Sequence, residues 1–319
     1  MTTPALALLF PGQGSQSPGM GLDLAQNFPI ARQTFEEADT ALGFSLSKLC
    51  FEGPAEELQL TANTQPAMLA CSLAAFRVLA GRGITYAYVA GHSLGEYSAL
   101  VAAGSLLFAD ALRTVRHRGQ YMQEAVPVGV GAMAALLGIN IDKVEKICQA
   151  AAEGEVVSPA NINTPEQIVI AGHAGAVKRV MDQALAAGAK RAVPLAVSAP
   201  FHCSLMRPAQ EKLSPELAAL PFQDLAVPLV NNVRAELVRT AGEARQGLVD
   251  QIPSPVRWEP SVRRLLAAGV TQFVEVGPGK VLTGMMRQID RSVAAMNVED
   301  SKTLEKTVAT LHAAEEKLN

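Results

Sequence analysis

A serine flanked by glycines occupies the middle of the stretch from Ala87 to Gly104, which reads AYVAGHSLGEYSALVAAG. Within it, Gly91 to Gly95 match Gly-x-Ser-x-Gly, the nucleophile-elbow pattern, in which small residues let the backbone turn sharply beneath the serine. A hydroxyl raised on such a turn can attack an acyl carbonyl and carry the acyl group as an ester. Serine is also favoured at ordinary helix starts, so the pattern alone leaves a structural interpretation of Ser93 open.

A nucleophilic serine needs a base, and histidine suits neutral pH. Of the five histidines, His202 is the candidate, because it closes the segment Val197-Ser198-Ala199-Pro200-Phe201-His202 just after a predicted strand. A purely structural histidine is the alternative at that position. The other four histidines are assigned by position to a turn or to helices, namely His92, His117, His173 and His312. No acid between Ser93 and His202 stands out as a third member, so a backbone carbonyl is the alternative orienting group.

An arginine forms the third chemical feature. Arg118 lies at the edge of the buried face of the predicted helix Phe108 to Val126, whereas Arg113 and Arg116 point away from it. A buried guanidinium is costly unless it meets an anion. A structural carboxylate and a substrate carboxylate both suit its planar fork, and the sequence leaves the two open.

The pattern of predicted elements indicates how these residues are positioned. From Gly129 to Val197 the order of elements is βαββαβ, which is typical of a ferredoxin-like subdomain. We therefore predict an α/β fold, with an α/β-hydrolase-like catalytic domain formed by residues 1–127 and 199–319 and the small subdomain inserted at 128–198. The subdomain elements are predicted at strand Gly131 to Leu137, helix Asp142 to Glu153, strands Glu155 to Val157 and Gln167 to Ala171, helix Ala174 to Ala187 and strand Arg191 to Val197.

Other predicted elements belong to the larger domain. Strands are predicted at Ala5 to Phe10, Ala226 to Val233 and Thr271 to Val276, and helices at Ala31 to Leu42, Glu56 to Leu60, Pro66 to Leu79, Glu216 to Leu220, Ser261 to Ala268 and Leu304 to Leu318. The loop after the first strand contains Gly12-x-Gly14, which suggests a dinucleotide loop. Its third glycine is missing, so a nucleotide-binding module is the weaker alternative.

Composition excludes several classes of protein. With 27 Lys and Arg against 30 Asp and Glu, the net charge of −3 offers no basic surface for nucleic acid. No run of about 18 apolar residues could span a membrane, and the N-terminus lacks the positive charge of a signal peptide, so we expect a cytoplasmic protein. The four cysteines are scattered without ligand spacing, so no metal site is expected, and Cys203 is interpreted as a small buried residue.

Taken together, the motifs resemble those of the malonyl-CoA:acyl carrier protein transacylases and the related acyltransferase domains of polyketide synthases. The resemblance covers essentially the whole chain, and the motifs follow the family's order. They are Gly12-Gln13-Gly14-Ser15-Gln16, Gly91-His92-Ser93-Leu94-Gly95-Glu96, Arg118-Gly119, Ser198-Ala199-Pro200-Phe201-His202 and Glu275-Val276-Gly277-Pro278-Gly279. The family's fold, an α/β-hydrolase-like domain with a ferredoxin-like insertion, agrees with the pattern of elements.

The resemblance implies roles for single residues. Ser93 would take the acyl group from coenzyme A, and His202 would serve as general base and acid. Arg118 would bind the free carboxylate of the malonyl group. The residue that aligns with the family's histidine-orienting carbonyl is Gln251, which would explain the missing acid.

The backbone N–H groups of Gln13 and Leu94 would form the oxyanion hole by the same resemblance. Phe201 and Leu94 both favour malonyl over methylmalonyl, since Phe201 resembles the residue before the histidine in malonyl-selecting members. The implied reaction is a ping-pong transfer from malonyl-CoA to the pantetheine thiol of acyl carrier protein in fatty-acid synthesis. Coenzyme A enters as a thioester substrate, and no metal or redox cofactor is implied. A serine thioesterase or esterase, which sends the acyl group to water, is the alternative.

Overall fold

The computed structural model describes residues 5–197 and 199–316. Ser198, which belongs to the motif before His202 and ends the predicted insertion, lies outside the described residues. The chain ends lie outside them too, including the last two residues of the predicted helix Leu304 to Leu318.

The strands form two separate sheets. In chain order they are β1 (Ala5–Phe10), β2 (Tyr88–Gly91), β3 (Gly131–Leu137), β4 (Val157–Thr164), β5 (Gln167–His173), β6 (Arg191–Pro194), β7 (Leu229–Val230), β8 (Leu237–Val238), β9 (Val270–Val276) and β10 (Ala294–Val298). The larger sheet has the order β10-β9-β1-β2-β7-β8 and is parallel except for the last pair. Strand β1 is apolar along its length and buried from Leu6 onward, as expected for a parallel strand covered on both faces.

Helices surround the two sheets. They are α1 (Leu22–Asn27), α2 (Pro29–Leu42), α3 (Leu46–Glu52), α4 (Ala55–Gln59), α5 (Thr61–Ala80), α6 (Gly95–Ala102), α7 (Phe108–Glu124), α8 (Ile141–Ala151), α9 (Ala174–Ala186), α10 (Arg207–Ala219), α11 (Ala241–Gln251), α12 (Trp258–Ala267), α13 (Val281–Ile289) and α14 (Ser301–Glu316). Within residues 5–197 and 199–316, no helix has the length and apolar character needed to cross a bilayer.

The smaller sheet is antiparallel and has the order β4-β5-β3-β6. Helix α8 connects β3 to β4, and α9 connects β5 to β6. Both helices bury apolar residues against one face of the sheet, including Val144 and Val177 against Leu136 and Ile170. This βαββαβ arrangement confirms the predicted fold class, an α/β fold with a ferredoxin-like insertion. The boundaries at 1–127, 128–198 and 199–319 stay a prediction.

Two backbone hydrogen bonds tie the smaller sheet to the larger unit. The N–H of Ile162 donates to the Val256 carbonyl at 2.9 Å, and the N–H of Val256 donates to the Ala160 carbonyl at 2.8 Å. Strand β4 therefore pairs on one side with β5 and on the other with the segment before α12.

Several predicted boundaries were wrong. Strand β4 was predicted to end at Val157, but it continues to Thr164 through Pro159. The predicted strand Ala226 to Val233 is only two residues long, Leu229–Val230. The last strand of the small sheet was predicted to run from Arg191 to Val197, but β6 ends at Pro194. Helix α10 begins nine residues before the predicted helix Glu216 to Leu220, and it accommodates Pro208 in its first turn and Pro215 in its interior. Elements absent from the prediction are α1, α3, β8, α11, α13 and β10.

Candidate active site

Ser93 lies on the sharp turn between β2 and α6. Its φ of 51° is in the left-handed region, which is costly for a residue other than glycine. The flanking glycines leave room for this turn. A Cβ at Gly91 would lie 1.9 Å from the carbonyl of Gly95, and a Cβ at Gly95 would lie 2.0 Å from the Phe10 carbonyl oxygen. Only residues without side chains therefore let β2, α6 and β1 approach so closely.

Asn232, which follows the neighbouring strand β7, holds the turn through its side-chain amide. The backbone N–H of Ser93 donates to Asn232 Oδ1 at 2.7 Å, and Asn232 Nδ2 donates to the Gly91 carbonyl at 2.7 Å. Asn232 is fully buried, so its amide has no competing water. These two bonds stabilise the strained conformation that raises the serine hydroxyl.

His202 contacts the serine directly. Its Nε2 lies 2.7 Å from Ser93 Oγ, and its Nδ1 lies 3.2 Å from the Gln251 carbonyl oxygen. A carbonyl can only accept, so Nδ1 carries the proton and Nε2 is left free to accept one from Ser93. Burial, together with the nearby Arg118 cation, lowers the pKa of His202 to about 3. The imidazole is therefore neutral at neutral pH, which is the form that a general base requires.

Arg118 lies in the same cluster, buried at 2% exposure. Its Nη1 donates to Gln65 Oε1 at 2.7 Å, and its Nη2 donates to Gln251 Oε1 at 2.9 Å and to Ser93 Oγ at 3.1 Å. Its Nε, also buried, has no hydrogen-bond partner. No carboxylate of the described residues forms an ion pair with Arg118. Of the two anions that the sequence left open, the structural carboxylate is thus not in contact with the guanidinium.

A cavity of about 420 Å³ opens beside these groups. Ser93, His202 and Arg118 line it, as do Gln13 and Leu94. In the part of the chain that the structure describes, the backbone N–H groups of Gln13 and Leu94 donate to no protein acceptor. The Leu94 N–H also belongs to the N-terminus of α6, where the helix dipole favours a negative charge. Five of the six predicted site residues therefore line one cavity, and the sixth, Gln251, supports His202 from behind.

Neighbouring reactive side chains take structural positions. Cys203 is buried, its thiol donates to the Pro200 carbonyl at 3.1 Å, and burial raises its pKa to about 11, which confirms its interpretation as a buried structural residue. His92 also lines the cavity, and its Nε2 lies 2.9 Å from Asn163 Oδ1 on β4. Among the described residues, no group of three His, Cys, Asp or Glu side chains is arranged to hold a metal ion.

Three buried polar residues of the site were missed by the sequence analysis. Gln65 lies in α5, Asn232 follows β7, and Glu96 lies in the first turn of the elbow helix α6. Of the three, only Glu96 lies in a mostly apolar helix, which is a signal that could have identified it, whereas Gln65 and Asn232 stand beside other polar residues in the sequence. Glu96 was quoted within a motif but was given no role.

Comparison with known proteins agrees with this geometry. A family model described as acyl transferase domain matches residues 7–315. The malonyl CoA-acyl carrier protein transacylase of Escherichia coli strain K12 is 51% identical over 299 residues, covering 93% of this chain and 97% of that protein. Its counterpart from Bacillus subtilis strain 168 is 49% identical, with coverage of 96% and 97%.

A solved structure extends the similarity to the fold. It holds a type II PKS acyl-carrier protein in complex with its malonyl-transacylase, and the matched chain superposes with a TM-score of 0.94 at 47% identity, covering 96% of this chain and 99% of the other. Matches of this extent show the family. The chain therefore belongs to the acyl transferase family and, within it, to the malonyl CoA-acyl carrier protein transacylases.

Proposed function

We propose that this protein transfers the malonyl group from malonyl-CoA to the pantetheine thiol of acyl carrier protein, supplying fatty-acid elongation, through a malonyl ester on Ser93. The observation that carries the proposal is the cavity in which a serine–histidine pair lies beside a buried guanidinium that has no carboxylate partner among the described residues. An acyl donor that itself ends in a carboxylate completes this arrangement.

In the first half-reaction, His202 Nε2 accepts the proton of Ser93 Oγ as the oxygen attacks the thioester carbonyl. The backbone N–H groups of Gln13 and Leu94 receive the negative charge that develops on the carbonyl oxygen. The carbon–sulfur bond then breaks, and the imidazolium returns its proton to the leaving thiolate of coenzyme A. Gln251, through its carbonyl, holds the imidazole in the required tautomer throughout.

In the second half-reaction, the pantetheine thiol of the carrier protein takes the place of coenzyme A. His202 accepts the thiol proton as the sulfur attacks the malonyl ester, and the proton passes to Ser93 Oγ when the ester bond breaks. The free serine is regenerated. The steps use side chains and backbone groups of the chain and need no metal or redox cofactor.

Arg118 supplies the preference for malonyl in this proposal. Its Nη2 donates to Ser93 Oγ, so the guanidinium lies close enough to reach both the nucleophile and an acyl group attached to it. Its unpartnered Nε adds a donor for a carboxylate. Because the site is buried, a charge-assisted hydrogen bond there is strong.

The proposed location is the cytoplasm. All four cysteines are free thiols, and all are buried, which suits a reducing compartment.

Intact-mass measurement after mixing with malonyl-CoA tests the proposal. We expect a malonyl adduct on the wild-type protein, none on Ser93→Ala, and loss of the adduct with loading of the carrier protein when holo acyl carrier protein is added. Release of coenzyme A and free malonate with an unloaded carrier protein would identify a thioesterase instead. Binding of a nucleotide with no adduct on Ser93 would indicate the nucleotide-binding alternative.

A further inference from the structure

A buried carboxylate lies behind the nucleophile, and the reaction described above does not use it. Glu96 is 1% exposed in α6, a helix of otherwise mostly apolar residues. It forms no ion pair with a described Lys, Arg or His residue. Burying such a group is costly, so its retention calls for a physical reason.

The hydrogen bonds of Glu96 run towards the catalytic cluster. Its Oε2 accepts from Gln251 Nε2 at 2.7 Å and from the backbone N–H of Asn232 at 3.1 Å. Burial raises the pKa of Glu96 to about 7, while these two donors and the Arg118 charge favour the ionised form. Glu96 thus contacts both residues that hold Ser93 and His202 from behind.

The amide of Gln251 has two distinct ends, and Glu96, together with the Ser93 carbonyl and the Arg118 guanidinium, sets which end faces which partner. An ionised carboxylate only accepts, so it selects the NH₂ end of the amide. Nε2 then also donates to the Ser93 carbonyl at 3.0 Å, and Oε1 is turned towards Arg118 Nη2, from which it accepts at 2.9 Å. With the amide reversed, its NH₂ group would face the guanidinium donor to donor.

We propose that Glu96 is a positioning residue. Its carboxylate fixes the orientation of the Gln251 side-chain amide and thereby holds the Arg118 guanidinium within hydrogen-bond distance of Ser93 Oγ. The inference rests on the proposed function, since the readout is malonyl attachment to Ser93. A purely structural Glu96 would fasten α6 to α11 without favouring one acyl donor over another.

The test is a double-mutant cycle on the single-turnover acylation of Ser93, followed by intact mass. Glu96→Gln keeps the shape but presents an amide that can face Gln251 with either end. We expect acylation by malonyl-CoA to slow about 10-fold, as for the loss of one charge-assisted hydrogen bond. Acylation by acetyl-CoA, which has no carboxylate for Arg118, should slow less.

Gln251→Leu removes the amide and keeps the backbone carbonyl that His202 needs. If Glu96 acts through this amide, the double variant Glu96→Gln, Gln251→Leu will be no slower with malonyl-CoA than Gln251→Leu alone. Asp250→Asn is the matched control, because this neighbouring carboxylate contacts Gln246 and Arg234 instead, and its loss should leave both rates unchanged.

The inference would be overturned if the fold-decrease in acylation rate of the double variant equalled the product of the fold-decreases of the two single variants. It would also be overturned if Glu96→Gln slowed acylation by malonyl-CoA and by acetyl-CoA equally. The ratio of the two rates is measured on one preparation, so partial unfolding of a variant cancels from it. The split between the acylation rate constant and the apparent affinity for malonyl-CoA gives a second readout. Absence of any malonyl adduct on the wild-type protein would refute the proposed function itself, a result distinguishable from failure of the cycle.

Discussion

The cavity has two walls that differ in chemistry. The wall from the larger unit presents Ser93, His202 and Arg118, and every one of these side chains is hydrogen-bonded to another polar group of the cluster. The wall that follows β6 presents the segment 195–197, which is Leu-Ala-Val, and β3 contributes Met133. One wall is a buried polar network, whereas the other is largely apolar surface.

This difference separates two tasks. Polar groups that stabilise a transition state must be held to a fraction of an ångström, and a buried network with satisfied hydrogen bonds achieves this. An apolar wall excludes water and binds substrate through its shape, and it tolerates change better. We therefore expect substitutions in the first wall to affect the chemical step and those in the second to affect affinity.

The largest effect is expected for His202→Ala. Loss of a general base costs about 10²- to 10⁴-fold, so the rate constant for acylation of Ser93 by malonyl-CoA should fall by that factor. This rate constant is measured by quenching the reaction at successive times and following the malonyl adduct by intact mass. His312→Ala, which changes an exposed histidine of α14, is the control and should leave the rate unchanged. A His202→Ala protein that acylates at the wild-type rate would remove His202 from its proposed role.

A smaller and donor-dependent effect is expected for Arg118→Ala. Acylation by malonyl-CoA should fall by roughly 10- to 100-fold, the value of one charge-assisted hydrogen bond, whereas acylation by acetyl-CoA should change much less. Parallel rate measurements with the two donors check this. Arg113→Ala serves as the control, because Arg113 lies on the same helix but pairs with Asp110 at 2.7 Å. Equal losses with both donors would contradict a carboxylate-binding role.

The smallest effect is expected on the apolar wall. Leu195→Ala removes part of a half-buried side chain that lines the cavity, so the apparent affinity for malonyl-CoA should weaken about fivefold. The acylation rate constant at saturation should change by less than about twofold. Leu185→Ala, at an exposed leucine of α9, controls for a general loss of apolar surface. If the rate constant falls while the affinity stays constant, the two walls do not divide the tasks as described.

The fold was predictable from sequence where local pattern decides the structure. Strand β3 was predicted with its observed bounds, Gly131 to Leu137, because a short apolar run between turns is a local signal. Strand β4 was not, since Pro159 and the asparagines after it read as loop. These residues are extended because β4 pairs with β5 on one side and with Val256 on the other, and the contact of Asn163 with His92 adds a further tertiary restraint.

The site divides in the same way. Ser93 and His202 were identified because glycine spacing and a position after a strand mark them locally. Gln251 entered only through a family resemblance, since any residue type can supply a backbone carbonyl, and its helix α11 was not predicted at all. Glu96 and Asn232 act through contacts made across the chain, at sequence separations of 136 and 139 residues, which no local pattern reveals.

The glycines of the elbow have an evolutionary consequence. The atoms that a side chain at Gly91 or Gly95 would meet belong to the main chain of α6 and β1, and main chain cannot be exchanged for something smaller. Substitutions elsewhere therefore offer no compensation, and we expect both positions to remain fixed while lineages diverge. The wall after β6 consists of side chains, where one replacement can offset another. Changes in how tightly an acyl donor is bound are thus expected to arise in that wall, around a turn that itself cannot change.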